Sequence, residues 1–303
     1  MSDLHRIVGK IFRMDTVDSE FPLEFDASLY RQRYVDLSQL SNDDLTSHWI
    51  SHGLQEGRCA SAVESRSDFL ALISQSMKAL EIGPFNNPSI SGPQVKYFDT
   101  LSTDDLKKRA QVIGIDHSTI PEIHWVEPDG DLSAVSESFD CCVSSHAIEH
   151  QPDLVRHLVN ISNLLSSGGR YFLAVPDRRY TFDHYLKDSN IAEVIEAHKQ
   201  SREQHTLRSV IEHRALTTHN DPATHWNGSH GEEGIEPSRV QNAITEFEKA
   251  DGYLDVHAWI FTPSSFRVII STLFSLGLIQ LSIERLYPTL LNSNEFYVIL
   301  KQD

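Results

Sequence analysis

Ala79-Leu80-Glu81-Ile82-Gly83-Pro84-Phe85-Asn86-Asn87-Pro88 is the stretch on which the fold turns. Ala79, Leu80 and Ile82 form an apolar run of the length of a buried parallel strand, and Gly83-Pro84 ends it abruptly. In an open α/β sheet such strand ends border a crevice, because the loops leaving a topological switch point diverge. Gly83 lets a ligand approach the backbone closely. Glu81 is costly inside an apolar strand unless hydrogen bonds reach it.

Two later runs have the same character. Phe139-Asp140-Cys141-Cys142-Val143-Ser144-Ser145 leads into His146-Ala147-Ile148-Glu149-His150-Gln151-Pro152-Asp153, and Gly168-Gly169 opens Arg170-Tyr171-Phe172-Leu173-Ala174-Val175-Pro176. With Glu81-x-Gly83, these resemble in order and spacing the first, fourth-strand and fifth-strand motifs of the class I S-adenosylmethionine-dependent methyltransferases, in their type 11-like branch. The resemblance spans residues 79–177 and the last few dozen. It implies an α/β fold, a Rossmann-like sheet with helices on both faces. It further implies S-adenosylmethionine as cofactor and methyl transfer to a small-molecule or sugar hydroxyl or amine.

The same resemblance distributes roles. Glu81, Gly83 and Pro84 border the cofactor, and Ser145 lies near its methionine part. Asp99, closing the second-strand run Val95–Asp99, accepts from the ribose hydroxyls, with Asp116 as its rival. Asp131, beside Leu132, faces the adenine amine or else stabilises its own turn. His146 and His150 follow the fourth strand and are the first candidates for the base, since histidine is the natural proton acceptor near neutral pH; His150 reads equally as a residue that orients the turn. Asp177, just past the fifth strand, is a second-line base or metal ligand. One departure stands out: Asn86 to Gln94 holds two prolines and one glycine, which leaves room for about two helical turns before the second strand.

Outside the matched region lie an N-terminal segment and a long insertion, giving an expected division into a small helical module at 1–62 and a methyltransferase-like domain at 63–303. In the module, Asp26 and Ser41 cap two short helices. The pattern Asp26-x-x-x-Tyr30 with His48-Trp49-x-x-His52-Gly53-x-x-Glu56-Gly57-Arg58 resembles a module found beside bacterial surface-polysaccharide enzymes. Trp49 reads as a core residue of that hairpin, or as part of a docking face for a protein partner or glycan. Ser67 to Lys78 has the apolar periodicity of a helix. Thr103-Asp104-Asp105 caps another, as Pro152-Asp153 does for 153–165 and Thr262-Pro263 for a last helix, and 278–286 and 295–300 read as a closing strand pair.

The insertion, residues 177–262, holds half of the chain's 16 histidines. Asn190 to Leu216 is largely helical in pattern, while Thr217 to Gly231 is polar and aperiodic and reads as a long loop, expected as an acceptor-binding lid. Its histidines are surface or hydrogen-bonded residues, acceptor-orienting bases such as His225, or a metal set of His219, Asp221, His225 and His230. No helical i, i+4 histidine pair supports that metal, so none is assigned, although a divalent ion is compatible with the resemblance.

Composition narrows the classes. Asp and Glu number 43 against 26 Lys and Arg, a net charge of −17, so a phosphate backbone is repelled on average and nucleic acid is a poor substrate. Three cysteines make no disulfide framework. No run approaches the ~20 apolar residues of a membrane span, and Met1 to Lys10 lacks the apolar core of a signal peptide, which gives a cytoplasmic expectation. Two other readings compete: a non-catalytic scaffold with a degraded cofactor site, and a metal-dependent enzyme, such as a hydrolase, built on the histidine-rich region.

Overall fold

The computed structural model describes residues 21–302, so the reading of Met1 to Lys10 and the first 20 residues of the 1–62 module lie outside the described residues. Seven strands form one sheet: β1 (Ala79–Ile82), β2 (Val95–Asp99), β3 (Trp125–Val126), β4 (Phe139–Ser145), β5 (Leu165–Pro176), β6 (Leu281–Tyr287) and β7 (Glu295–Gln302). Their spatial order is β3-β2-β1-β4-β5-β7-β6. The first five run parallel, and β7 enters antiparallel between β5 and β6. After β1 the chain builds outward through β2 and β3, then returns to place β4 on β1's other side. That reversal makes the carboxyl ends of β1 and β4 the switch point, where a crevice must open.

Ten α-helices accompany the sheet among the described residues: α1 (Ala27–Arg33), α2 (Asn42–His48), α3 (Arg66–Leu70), α4 (Thr103–Ile113), α5 (Leu154–Leu164), α6 (Ile191–Lys199), α7 (Leu207–Ala215), α8 (Pro222–Trp226), α9 (Pro237–Lys249) and α10 (Pro263–Ser275). On one face of the sheet, Leu158 and Ile161 of α5 and Phe266 and Ile270 of α10 pack with Leu80, Leu173 and Val298. On the other, Phe21 and Phe69 cover Val143, Phe172 and Ile299. All four β1 residues are therefore buried, which is why the strand reads as a continuous apolar run rather than an alternation.

Several local expectations are corrected. The helix expected over 67–78 ends at Leu70, where the ladder tightens into i−3 bonds, Leu72 N–H to Phe69 O (3.2 Å) and Ile73 N–H to Leu70 O (3.0 Å). The stretch 190–216 splits into α6 and α7, with Ser201 at φ +48 between them. Within the expected loop 217–231, the Asp221 carboxylate accepts from Thr224 N–H (3.2 Å) and caps α8 ahead of Pro222. Gly168-Gly169 does not turn into β5 but lies within it: a Cβ on Gly169 would stand 2.8 Å from the Ser166 carbonyl oxygen.

The N-terminal hairpin has its own small core, Tyr30, Leu37, Leu45 and Trp49, with Trp49 buried in it. The residues just before it belong to the sheet edge instead. Tyr287 O–H donates to the Pro22 carbonyl (2.6 Å), and Leu286 N–H donates to Glu24 (2.9 Å). On its far side the hairpin meets the β6–β7 loop, where Leu291 N–H donates to the Gly57 carbonyl (3.0 Å). Trp226 of α8 reaches the same loop through its indole N–H to Ser293 O (2.8 Å) and stacks on Tyr180 at 3.9 Å.

Candidate active site

The switch point opens into two adjoining hollows of about 490 and 230 Å³, both bordered by Gly83, Phe85 and His146. Gly83 sits at φ +67, and a Cβ there would meet only the Ala147 methyl, at 3.6 Å. Glycine is thus required by the backbone conformation, with open space beyond it. Phe85 holds φ +40, a conformation that costs a bulky residue. Its ring packs on the small Leu106–Ala110–Ile120 cluster, with the Arg109 guanidinium 5.4 Å above it.

The wider hollow is lined by Glu81, Pro84, Ser145 and Glu295 among others. Glu81 is buried, and its two oxygens accept from Ser89 N–H (2.7 Å) and Ile90 N–H (3.2 Å). Burial raises its pKa and those backbone bonds oppose the rise. Glu81 therefore staples the shortened β1–β2 connection. Ser145 and Ser89 share a hydroxyl hydrogen bond of 2.9 Å at the same wall.

Asp99 ends β2 on the narrower hollow, beside Phe98, Leu106 and Gly130. One carboxylate oxygen accepts from Leu101 N–H (3.1 Å), and burial raises the pKa against these bonds. Asp131 is placed differently. Its carboxylate accepts from Ser133 N–H (3.0 Å), the Ser133 hydroxyl (2.8 Å) and the Asn160 amide (3.0 Å), while Gly130 takes the place on the hollow. Leu132 is in the main core, and Asp116 folds onto Ser118 (2.8 Å). Asp131, Leu132 and Asp116 thus border neither hollow.

At the β4 end, His146 sits at φ +50, a strained position of the kind that gathers at functional turns. Its Nε2 lies 2.8 Å from Glu295 Oε2, and Arg66 (3.1 Å) and the Tyr297 hydroxyl (3.0 Å) complete that carboxylate's surroundings. Burial would raise the Glu295 pKa, but His146 and Arg66 outweigh it and hold the carboxyl low. His150 Nδ1 lies 3.0 Å from Asp255, and Asp255 also receives Arg109 at 2.5 Å. This Arg109–Asp255 bridge closes one wall of the narrower hollow and brings the insertion over it.

Behind these residues stands Glu149, fully buried, with His146 Nδ1, His150 Nε2 and His257 Nε2 at 4.0, 3.7 and 3.9 Å from Oε1. His257 Nδ1 in turn meets Asp183 at 2.6 Å.

Two expected residues lie elsewhere. Asp177 is buried and engaged by Arg179 (2.5 Å) and the Thr289 hydroxyl (2.6 Å), so it anchors the start of the insertion. His225 belongs to a stack with His184, His219 and His230, and none of the four borders either hollow. Sequence reasoning passed over Arg109, Glu149, Asp183, Asp255, His257 and Glu295. Glu295, an acid opening an otherwise apolar strand, carried the one local signal.

Residues fit for a cofactor can be judged from these walls. An open backbone at Gly83, the Asp99 carboxylate and the apolar Phe98 and Leu106 suit a ribosyl-adenine. The acidic wider hollow, with Glu81 and Glu295, suits a cationic tail. The two volumes lie on the scale of small-molecule sites. A third hollow of about 220 Å³ lies between α6 and α7, where Arg208 is already paired with Glu193 (2.7 Å) and Glu212 (2.8 Å).

Comparison with known proteins gives a match of residues 100–173 to the family described as methyltransferase domain. No curated protein matches the sequence. Among solved structures, an S-adenosylmethionine-dependent methyltransferase from Mesorhizobium loti shares 14% identity, covering 78% of this chain and 98% of that one, at a TM-score of 0.38. The CcbJ methyltransferase from Streptomyces caelestis shares 10%, covering 82% and 95%, at 0.40. A protein from Rhodobacter sphaeroides titled a zinc-dependent alcohol dehydrogenase shares 13%, covering 78% and 89%, also at 0.40.

Proposed function

We propose that the chain is a class I S-adenosylmethionine-dependent methyltransferase that methylates a hydroxyl or amine of a polar small-molecule or sugar acceptor, a reading that the match of residues 100–173 to a methyltransferase-domain family and the strand order support. The observation that carries the reading is the convergence of Gly83, Asp99 and His146 on one open crevice at the β1/β4 switch point. S-adenosylmethionine, when bound, supplies a sulfonium-activated methyl group, so the protein's share is positioning and, for a hydroxyl, removal of a proton.

The residues divide that work. Asp99 accepts from the ribose diol, and the Gly83 backbone allows the close approach. Glu81 holds the 83–90 connection in place, and Ser145 borders the methionine end. His146 is the base, its Nε2 fixed by Glu295 and its Nδ1 left to take the acceptor proton; one imidazole nitrogen anchored by a carboxylate is the usual way of orienting such a base. The polar lining of the wider hollow favours a hydroxyl-rich acceptor. The sugar and polysaccharide setting and a partner for the 1–62 module rest on the N-terminal resemblance alone, and the cytoplasmic location on the sequence of Met1 to Lys10 and the lack of a long apolar run. No helix among the described residues is long and apolar enough to cross a membrane.

Calorimetry with S-adenosylmethionine and S-adenosylhomocysteine tests the reading, with Gly83→Arg as its partner. A side chain at φ +67 is strained and fills the open space, so the variant should lose binding by about 100-fold or more, corresponding to ~3 kcal/mol. A folded wild type that binds neither compound would leave the scaffold reading, to which the engagement of Glu81 by its own loop gives some support.

A further inference from the structure

Glu149 is the least explained group in the molecule. It is wholly buried, and neither carboxylate oxygen has a hydrogen-bond partner among the described residues. A buried carboxylate left in that state costs several times what an exposed one does. Its surroundings are not apolar, however. His150 Nε2 and His257 Nε2 face Oε1 at 3.7 and 3.9 Å. A carboxylate stands behind each ring: His257 Nδ1 bonds Asp183 at 2.6 Å, and His150 Nδ1 lies 3.0 Å from Asp255 in an ion-pair contact outside hydrogen-bond geometry. A carboxylate only accepts, so His257 Nδ1 carries a proton, and a neutral His257 turns its Nε2 lone pair toward Glu149. A lone pair facing a carboxylate is repelled unless a cation, a proton on the ring or a metal ion, lies between them.

We propose that Glu149, His150 and His257 form a binding site for a divalent transition-metal ion, zinc being the best match to a two-histidine, one-carboxylate donor set. Outer carboxylates that fix the tautomer of each histidine are the usual second layer of such centres. Charge points the same way: Glu149, Asp183 and Asp255 are three acids around one spot, and Arg109 answers only Asp255. The three donor atoms already lie within 4.8 Å of one another. Zinc ligands about 2.1 Å from the ion stand roughly 3.4 Å apart, so the side chains need to draw in by between about 0.3 and about 1.4 Å.

Three ligands leave a coordination position open, and His146, whose Nδ1 is 4.0 Å from Glu149, borders both the cluster and the crevice. An acceptor hydroxyl held there would lose its proton to His146 while its oxygen stays on the cation, which lowers the cost of that proton transfer. This role rests on the methyl-transfer reading, whereas the binding of the ion does not.

The test uses the full chain, stripped with chelator and titrated with Co²⁺ and then Zn²⁺, reading visible cobalt absorption and melting temperature. One equivalent should bind and raise the melting temperature. Glu149→Gln should abolish the cobalt spectrum, and Asp183→Asn should weaken binding by roughly 10- to 100-fold. Glu149→Gln keeps volume and removes the uncompensated charge, so without metal it should melt no lower than wild type. His225→Ala should bind as wild type does. S-adenosylhomocysteine calorimetry on the same samples reports the methyl-transfer reading separately. No spectrum and no melting shift in wild type would overturn the proposal. So would a spectrum that survives Glu149→Gln, or one lost in His225→Ala.

Discussion

Around Glu149 each imidazole is held from behind by a carboxylate, whereas in the 184–230 cluster the rings are held by backbone carbonyls and by one another. His184 Nδ1 donates to Arg179 O (2.7 Å), His225 Nε2 to His219 O (3.0 Å) and His219 Nε2 to Ser229 O (3.1 Å). That leaves His225 Nδ1 as an acceptor, and His230 Nδ1 meets it at 3.1 Å. Stacking at 3.8 Å between His184 and His230 and 4.0 Å between His219 and His225 completes the arrangement. Burial lowers the pKa of His225 and His230, in keeping with neutral rings. Both clusters meet the spacing a metal ion needs. Only the carboxylate-backed one contains a buried acid with nothing to bond to. A carbonyl uses up one ring nitrogen's proton and adds no formal charge. A carboxylate also makes the opposite nitrogen a stronger base or ligand.

Replacing one member of each cluster breaks the comparison most directly. His146→Ala removes the only histidine of the first cluster that borders both hollows, and should lower kcat by about 10²- to 10⁴-fold with cofactor affinity nearly kept. Single-turnover methylation of a hydroxyl acceptor, beside S-adenosylhomocysteine calorimetry, separates the two effects. An equal loss in both would make His146 a structural residue. His225→Ala should show the reverse pattern: a stability cost of ~1–3 kcal/mol from orphaned partners and little change in kcat. Urea unfolding reads the first and the methylation assay the second. If His225→Ala instead costs kcat without stability, the 184–230 cluster is the acceptor site and the assignment of the two clusters is reversed.

The sheet was readable because it depends on local signals. A short apolar run closed by Gly83-Pro84, a second closed by the 144–146 turn and capped helices at Asp153 and Thr262 each declare themselves within ten residues. The crevice walls formed by those same strand ends, Gly83, Asp99, Ser145 and His146, were readable for the same reason. What stayed hidden was made by the insertion folding back. Arg109 and Asp255 meet across 146 positions, His257 and Asp183 across 74. Glu149 lay in plain sight in the fourth-strand motif, but its isolation exists only once Ala258 N–H (2.7 Å) and Trp259 N–H (3.1 Å) donate to its backbone carbonyl and bring His257 alongside. At Asp131 two readings were open from the sequence, and the geometry matches the turn: its carboxylate accepts from Ser133 N–H (3.0 Å) and the Ser133 hydroxyl (2.8 Å).

The acid profile of stability gives the smallest and most specific test, through a histidine in neither cluster. His157 of α5 is buried under the sheet, with Nε2 3.0 Å from the Tyr171 hydroxyl, which in turn shares a hydrogen bond of 2.7 Å with Ser144. It has no carboxylate partner there, and burial pushes its pKa down to about 3 from 6.5. Folded His157 therefore stays neutral where the unfolded chain takes up a proton. Its contribution to stability is whole above pH 6.5 and is lost as pH falls from 6.5 toward 3, at up to ~1.4 kcal/mol per pH unit. Glu81 and Asp99, with raised pKa values, bend the curve the other way at lower pH, so the informative quantity is the difference between wild type and His157→Gln. That difference should grow steadily between pH 6.5 and 5 in urea melts. Parallel curves would mean that a counter-charge reaches His157 after all.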